Sequence, residues 1–237
     1  MENTSLTHIE HISEVINRSG LIKKLKSIKK TNSMDSLSKN HKHIDRTCDN
    51  RNILERSGIF SYFRRPIKNI IPYKHIGLVD LYQVIIGDYF KVQINELRKI
   101  TDKKEAQKFK AQNLDYVTFS GTFEKRHRNS LINHSGLLVF DFDQLENLDL
   151  VKKTLLKDTL FETALLFISP SGNGLKWVIE IDLERATHQE YFEGVGNYLI
   201  QKYKLKVDTS GKDIARACYV SHDKSAFINP KYLSNGI

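Results

Sequence analysis

Cysteine is scarce in this chain: its two residues, Cys48 and Cys218, lie far apart and neither sits in a C-x-x-C pair. That excludes a disulfide framework and a thiolate zinc site, and leaves both cysteines as bystanders. Proline is also thin, at four residues, and no internal repeat runs through the sequence, which argues against a solenoid or a propeller. No run of about eighteen apolar residues occurs, so no membrane-spanning helix and no membrane partner are expected. The opening residues, MENTSLTHIEHISEV, lack the charged-then-apolar order of a secretory leader, and a cytoplasmic location is expected.

Positive charge, by contrast, is plentiful. Lysine and arginine number 37 against 28 acidic residues, a formal charge of +9. Such a surplus favours a polyanionic partner, because neutralising phosphates releases counterions whatever the base sequence. A lysine-rich surface that merely maintains solubility is the alternative. With 40% hydrophobic residues, the 237-residue chain can bury one good core and carry an extension beside it. That extension is expected over residues 1–56, where KKLKSIKKTNSMDSLSKNHKHIDRTCDNRN offers little from which a core can be built. Within it, the spacing of Ile9, Ile12, Val15 and Ile16, then Leu21, Ile22 and Leu25, predicts a short helix from about Ile9 to Ile28, followed by linker.

Composition changes at GIFSYFRRPIKNIIP, and the folded domain is expected over residues 57–237. Leu78, Leu81, Tyr82, Ile85 and Ile86 fall at helical intervals, with Asp80 as a first-turn acid and a break near Gly87. Residues 103–113 predict a short, strongly charged helix, most of it solvated. After Leu114 the period becomes strand-like, in YVTFSGTF, SGLLVFDFD, ALLFISP, LKWVIEID and ARACYVS. Helical stretches at about 147–157 and 188–204 interrupt these strands; on the second, Phe192, Val195, Leu199 and Tyr203 share one face. The expected class is α+β, with a mixed, mainly antiparallel sheet and flanking helices.

The most informative segment is GLLVFDFDQ. Strand alternation puts Val139, Asp141 and Asp143 on one face and Leu138, Phe140 and Phe142 on the other. Two like charges so close at the end of an apolar strand are costly unless a cation lies between them, since each raises the other's pKa. Hard oxygen ligands of this kind suit Mg2+ or Mn2+. The structural alternative has Asp141 paired with a lysine and Asp143 acting as a turn residue, or as the cap of the helix near Asn147. A D-x-D strand also occurs in haloacid-dehalogenase-type phosphatases, as a nucleophile, and in glycosyltransferases, as a metal site. Against the phosphatase stand Leu145, where that family has Thr or Val, and the lack of the strand–helix alternation a doubly wound sheet needs.

ISPSGNGLKWVIEI joins two strands through a loop rich in backbone donors. Gly172 and Gly174 carry no Cβ, so the loop can approach phosphates closely and its amides can form an anion nest. It is not a Walker loop, since the spacing differs and no helix follows. Leu175, Trp177, Ile179 and Ile181 share one face of the outgoing strand and leave Lys176 on the other, beside the loop. An ordinary hairpin with a solvated lysine is the plain reading. Farther on, KVDTSGKDIARACYVSHD brings Asp208, Asp213 and Arg216 around a Ser-Gly turn. One acid there could complete a metal triad, and the guanidinium offers a planar fork to phosphate. FEKRHRNSLINHSG adds Lys125, Arg126, Arg128 and His134, either a solvated loop or a contact for a nucleic-acid backbone.

Taken in order, FSYFRRPIKNIIP, YVTFSGTFEKR, NHSGLLVFDFDQL, FISPSGNGLKWVI and VDTSGKDIARACYVSHD resemble the archaeo-eukaryotic primase (primase-polymerase) superfamily. The likeness covers about residues 58–230 and is to the virulence-E-type N-terminal domains of mobile elements in Bacteroides-like bacteria. It implies an RNA-recognition-motif-like catalytic sheet and template-dependent nucleotidyl transfer in replication of a mobile or phage-like element. Asp141 and Asp143 would stand at the superfamily's acidic motif, with Asp208, ahead of Asp213, as third catalytic and metal-binding acid. Ser169, Ser171, Gly172, Gly174, Lys176 and Arg216 would bind nucleotide; Lys176 departs from the histidine many relatives carry. Lys125, Arg126 and Arg128 would contact nucleic acid. The implied partners are Mg2+ or Mn2+, nucleoside triphosphates, a single-stranded DNA or RNA template and a separate helicase. A non-catalytic single-stranded nucleic-acid-binding module is the alternative.

Overall fold

The computed structural model describes residues 58–233. The expected 1–56 extension and its helix near Ile9–Ile28 lie outside the described residues. Two short strands, β1 (Phe60–Phe63) and β2 (Lys74–Ile76), precede three helices: α1 (Leu78–Ile86), α2 (Lys91–Leu97) and α3 (Lys103–Asn113). There follow β3 (Tyr116–Thr118), β4 (Gly121–Phe123), β5 (Leu131–His134) and β6 (Leu137–Phe142), then α4 (Leu148–Leu156). The strands β7 (Thr163–Ile168) and β8 (Leu175–Glu180), helix α5 (His188–Tyr203) and the short strands β9 (Cys218–Tyr219) and β10 (Phe227–Ile228) complete it.

Helix starts follow local side-chain chemistry. Asp102 accepts from the Glu105 amide at 2.8 Å to open α3, and Asn147 accepts from Leu150 at 2.9 Å to open α4. Thr187 and Glu190 satisfy each other's backbone amides at the start of α5. Asp80 takes the Gly77 amide at 3.1 Å, the first-turn role expected of it, and α1 ends before Gly87 as predicted. Asn147, not Asp143, therefore caps α4.

One sheet runs β2-β1-β3-β9, a second runs β10-β7-β8-β6, and β4 with β5 forms a separate ribbon. Every strand pair among the described residues is antiparallel, so the class is α+β as expected while the mixed element of the expectation drops out. An antiparallel sheet also removes the phosphatase alternative, whose doubly wound sheet is parallel. Among the described residues no helix is long and apolar enough to cross a membrane.

The second sheet is covered on both faces, which explains its near-continuous apolar sequence. Val178 and Leu165 face a core built with Phe60, Leu81, Ile85 and Phe90, while Leu138, Phe140, Phe142 and Trp177 face a second core with Phe192, Val195 and Leu199 of α5. Burying each such side chain contributes about 1.5–3 kcal/mol. Trp177 is wholly buried and its indole N–H donates to Thr163 Oγ1 at 2.8 Å, so no polar atom is lost in placing it there.

Polar glue fixes α5 to the start of β7. Asp158, buried, accepts from the hydroxyls of Tyr198 at 2.5 Å and Tyr203 at 2.6 Å and from the amides of Leu160 and Phe161, both at 2.8 Å. Burial works against its charge, but these hydrogen bonds outweigh it and hold the carboxyl below its ordinary range. A depressed folded-state pKa means the stabilisation is complete above the ordinary carboxylate range and is lost as pH falls through the lowered value. Asp158→Asn is expected to cost about 2–3 kcal/mol at neutral pH in urea unfolding, because the charged acceptor of several hydrogen bonds is lost. The gap between wild type and variant should narrow as the medium is acidified; a gap independent of pH would contradict the assignment.

Candidate metal centre

The adjacency of β6 and β8 sets the geometry. Their antiparallel register places Asp141 directly opposite Lys176, and Phe142 opposite Leu175. Asp141 and Lys176 thus meet side by side, and their carboxylate and ammonium form an ion pair. Beyond the end of β6 the chain from Asp208 folds back, its amide donating to the Asp141 carbonyl at 3.0 Å. Carboxylate oxygens of Asp141, Asp143 and Asp208 consequently lie within 4.8 Å of one another. Asp213 stays outside the cluster and accepts from the Ala215 amide at 3.1 Å, so Asp208 is the third acid brought to the pair.

The three carboxylates have different environments. Burial and the neighbouring charge of Asp141 push Asp143 up, with Asp208 adding to the repulsion. Asp208 is also opposed by burial, but the Ser210 hydroxyl at 2.6 Å, the Ser210 amide at 2.9 Å and Arg216 Nη2 at 2.9 Å hold it below its ordinary range. Asp141 gives one oxygen to Lys176, while its Oδ1 is buried without a hydrogen-bond partner. A bare carboxylate oxygen beside two further carboxylates is expensive to maintain, and a divalent cation is one partner that would satisfy it. The donor set is oxygen only, which fits Mg2+ or Mn2+. Cys218, though buried next to Lys176, is pushed up to about 11 by burial and stays a thiol.

Lys176 is held above its ordinary value: burial opposes the charge, but the carboxylate of Asp141 bonded to it and that of Asp143 beside it outweigh that. It is not the solvated lysine of an ordinary hairpin. The loop before it is closed on itself, with Ser169 N–H donating to the Gly174 carbonyl at 2.8 Å and Gly172 N–H to the Ser169 carbonyl at 2.9 Å. These two amides therefore point into the turn, which leaves less of the loop for the expected anion nest. Ser169 is buried with its hydroxyl unpartnered, and the Ser171 hydroxyl lies 3.4 Å from Lys110 Nζ on α3.

Of the basic residues expected to meet nucleic acid, Lys125 and Arg128 are exposed beside the β4–β5 ribbon. Arg126 is instead turned inward, 5.0 Å above the Tyr116 ring, with Nη2 donating to the Ile67 carbonyl at 3.4 Å. His134 faces His188 at 3.1 Å between β5 and α5, and burial together with that neighbour pushes it down to about 4.

Two residues of the site escaped the sequence. Arg98, just after α2, donates to the carbonyls of Pro170 and His222, both at 3.3 Å, and braces the loop from behind. Nothing in its local sequence marks it. Lys110 belongs to the helix expected to be mostly solvated, yet it is half-buried. Its position after Phe109 and four residues from Ala106, both packed on the core, is the helical stripe that could have revealed it.

The loop is locked against the end of β6 and against Arg98 by two close approaches. A Cβ at Gly174 would stand 2.2 Å from the Phe142 carbonyl oxygen, and at Gly172, whose φ is +84°, 3.0 Å from Arg98 Nε. The first clash is with backbone, which cannot rotate away. Gly174→Ala is therefore expected to destabilise the fold by about 2 kcal/mol or more in denaturant unfolding and to displace the end of β6. An unchanged unfolding midpoint would contradict this contact.

A family model described as BT4734-like, N-terminal domain, matches residues 108–227, half of the chain. All three aspartates, Lys110, Lys176 and Arg216 fall inside that stretch. No curated protein and no solved structure matches.

Proposed function

The chain belongs to the BT4734-like N-terminal domain family, and from the carboxylate cluster inside the matched stretch we propose a template-dependent nucleotidyltransferase of the primase-polymerase kind. The observation that carries this reading is the convergence of Asp141, Asp143 and Asp208 within 4.8 Å, with Asp141 Oδ1 buried and unpartnered, beside a wall of cations formed by Lys176, Arg216 and Lys110. Two-metal phosphoryl transfer needs such an arrangement: bridging carboxylates on one side, cations for the triphosphate on the other, and little covalent chemistry from the protein. The succession β6-α4-β7-β8-α5, with both helices on one face of the sheet, supports an RNA-recognition-motif-like core.

Asp141, Asp143 and Asp208 hold Mg2+ or Mn2+ in this reading, and the bound ions would activate the attacking 3′-hydroxyl and neutralise the leaving pyrophosphate. Lys176 and Arg216 orient the phosphates. Ser169, Ser171, Gly172 and Gly174 shape the loop against which the nucleotide lies. Lys125 and Arg128, exposed on a chain of net charge +9, support contact with the phosphate backbone of a single-stranded template. We place this activity in replication of a mobile or phage-like element, in concert with a separate helicase.

A second reading has its own support. The Lys176–Asp141 ion pair quiets part of the acidic charge without any metal, as a non-catalytic nucleic-acid-binding module would require. Nucleotide incorporation on a single-stranded polypyrimidine template with Mn2+ separates the two. Wild type should extend or initiate a strand and release pyrophosphate. The double variant Asp141→Ala, Asp143→Ala should lose more than about a hundredfold in rate, beyond the loss seen when only a supporting residue is removed, with its thermal unfolding intact. Incorporation that survives in the double variant, or wild type that retains the strand yet releases no pyrophosphate, rules the enzyme out.

A further inference from the structure

The cationic side of the site has a member that the sequence motifs do not contain. Lys110 lies in the last turn of α3, half-buried, its Nζ 3.4 Å from Ser171 Oγ in the loop. Among the described residues no carboxylate is in ion-pair contact with it. Burial and the ammonium of Lys176 both work against its charge, and the acids Asp143 and Asp141 only partly offset them. By contrast Lys176 is committed to Asp141 and Arg216 to Asp208. Lys110 is thus the cation of the wall whose charge has no counterion in contact, and a half-buried ammonium in that position is stabilised by an anion.

We propose that Lys110, together with the Ser171 hydroxyl, forms a phosphate-binding site that holds the triphosphate tail of the incoming nucleotide. The assignment rests on the nucleotidyl-transfer reading and deepens it. An ammonium offers three donors and no acceptor, so it suits non-bridging phosphate oxygens and offers nothing to a base edge. Lys110 and Ser171 come from α3 and from the β7–β8 loop, so the site exists only because Arg98 and the closed turn hold that loop in place. It would discriminate by the number of phosphates, since a monophosphate held at the carboxylates would not extend to it.

The test uses the full chain with Mn2+ and measures binding of a fluorescent deoxynucleoside triphosphate, its monophosphate and Mn2+ alone. Lys110→Gln should weaken the triphosphate by roughly ten- to a hundredfold, the loss expected for one charge-assisted contact. Monophosphate and Mn2+ should bind as in wild type, and Lys110→Arg should recover most of the affinity. If Lys110→Gln binds the triphosphate like wild type while Asp141→Ala abolishes Mn2+ binding, the Lys110 site is wrong and the nucleotidyl-transfer reading stands. If monophosphate and triphosphate weaken together, the lysine acts on the loop as a whole and the proposal falls. If wild type binds neither Mn2+ nor triphosphate, both readings fall.

Discussion

The pairing of β6 with β8 in the register that sets Asp141 against Lys176 is the constraint on which the rest of the site depends. A carboxylate at the end of an apolar strand cannot be folded beside two others without compensation. Here compensation is structural before it is chemical: the neighbouring strand supplies an ammonium, and the Asp208 amide holds the carbonyl of the same residue. Slip β8 by one residue against β6 and Lys176 would turn into the core that holds Trp177, while Leu175 and Trp177 would turn toward the face that carries Asp141. Two buried cores on opposite faces of the sheet make that shift prohibitive, so hydrophobic packing far from the acids sets the position of the charges.

Charge balance follows from the same arrangement. Three aspartates face Lys176, Lys110 and Arg216, so the formal charges of the wall and the cluster cancel. A pair of divalent cations and a nucleoside triphosphate of about four negative charges would add equal and opposite amounts, leaving the balance unchanged. The site could then load without accumulating net charge at low dielectric. If Asp141 held a cation as proposed, Lys176 would be released from the ion pair and its ammonium would be available to phosphate.

Much of this was readable from residues two apart. Leu138, Phe140 and Phe142 on one face of β6 and Leu175, Trp177 and Ile179 on one face of β8 follow from alternation alone, and the two helices between the strands follow from their stripes and caps. The short strands β1, β2, β5 and β10 were not readable, because two to four residues carry too little periodicity; LINH of β5 reads as part of a basic loop. The approach of Asp208 to Asp141 depends on how a long connection after α5 returns to the sheet, and spacing does not encode that. Arg126 illustrates the opposite error, since charge composition cannot tell a solvated guanidinium from one stacked on Tyr116.

The inward-facing Lys110 shows why composition and site disagree. Helix α3 has no fully buried residue and a mostly charged sequence, so by composition it is a surface helix. Its narrow contact with the core through Ala106 and Phe109 nevertheless aims its last turn at the β7–β8 loop, and the Ile67 amide bonded to the Ala111 carbonyl at 2.7 Å holds that end down. A helix anchored by so few apolar contacts can shift at modest cost compared with the strands it faces. Asp141 is therefore carried by the sheet, with Asp208 tied to it through the backbone, and the outlying cation by a lightly packed helix. In the proposed reading, that division would let the distance between cation and carboxylates adjust to a nucleotide's phosphates without disturbing the register that sets Asp141 against Lys176.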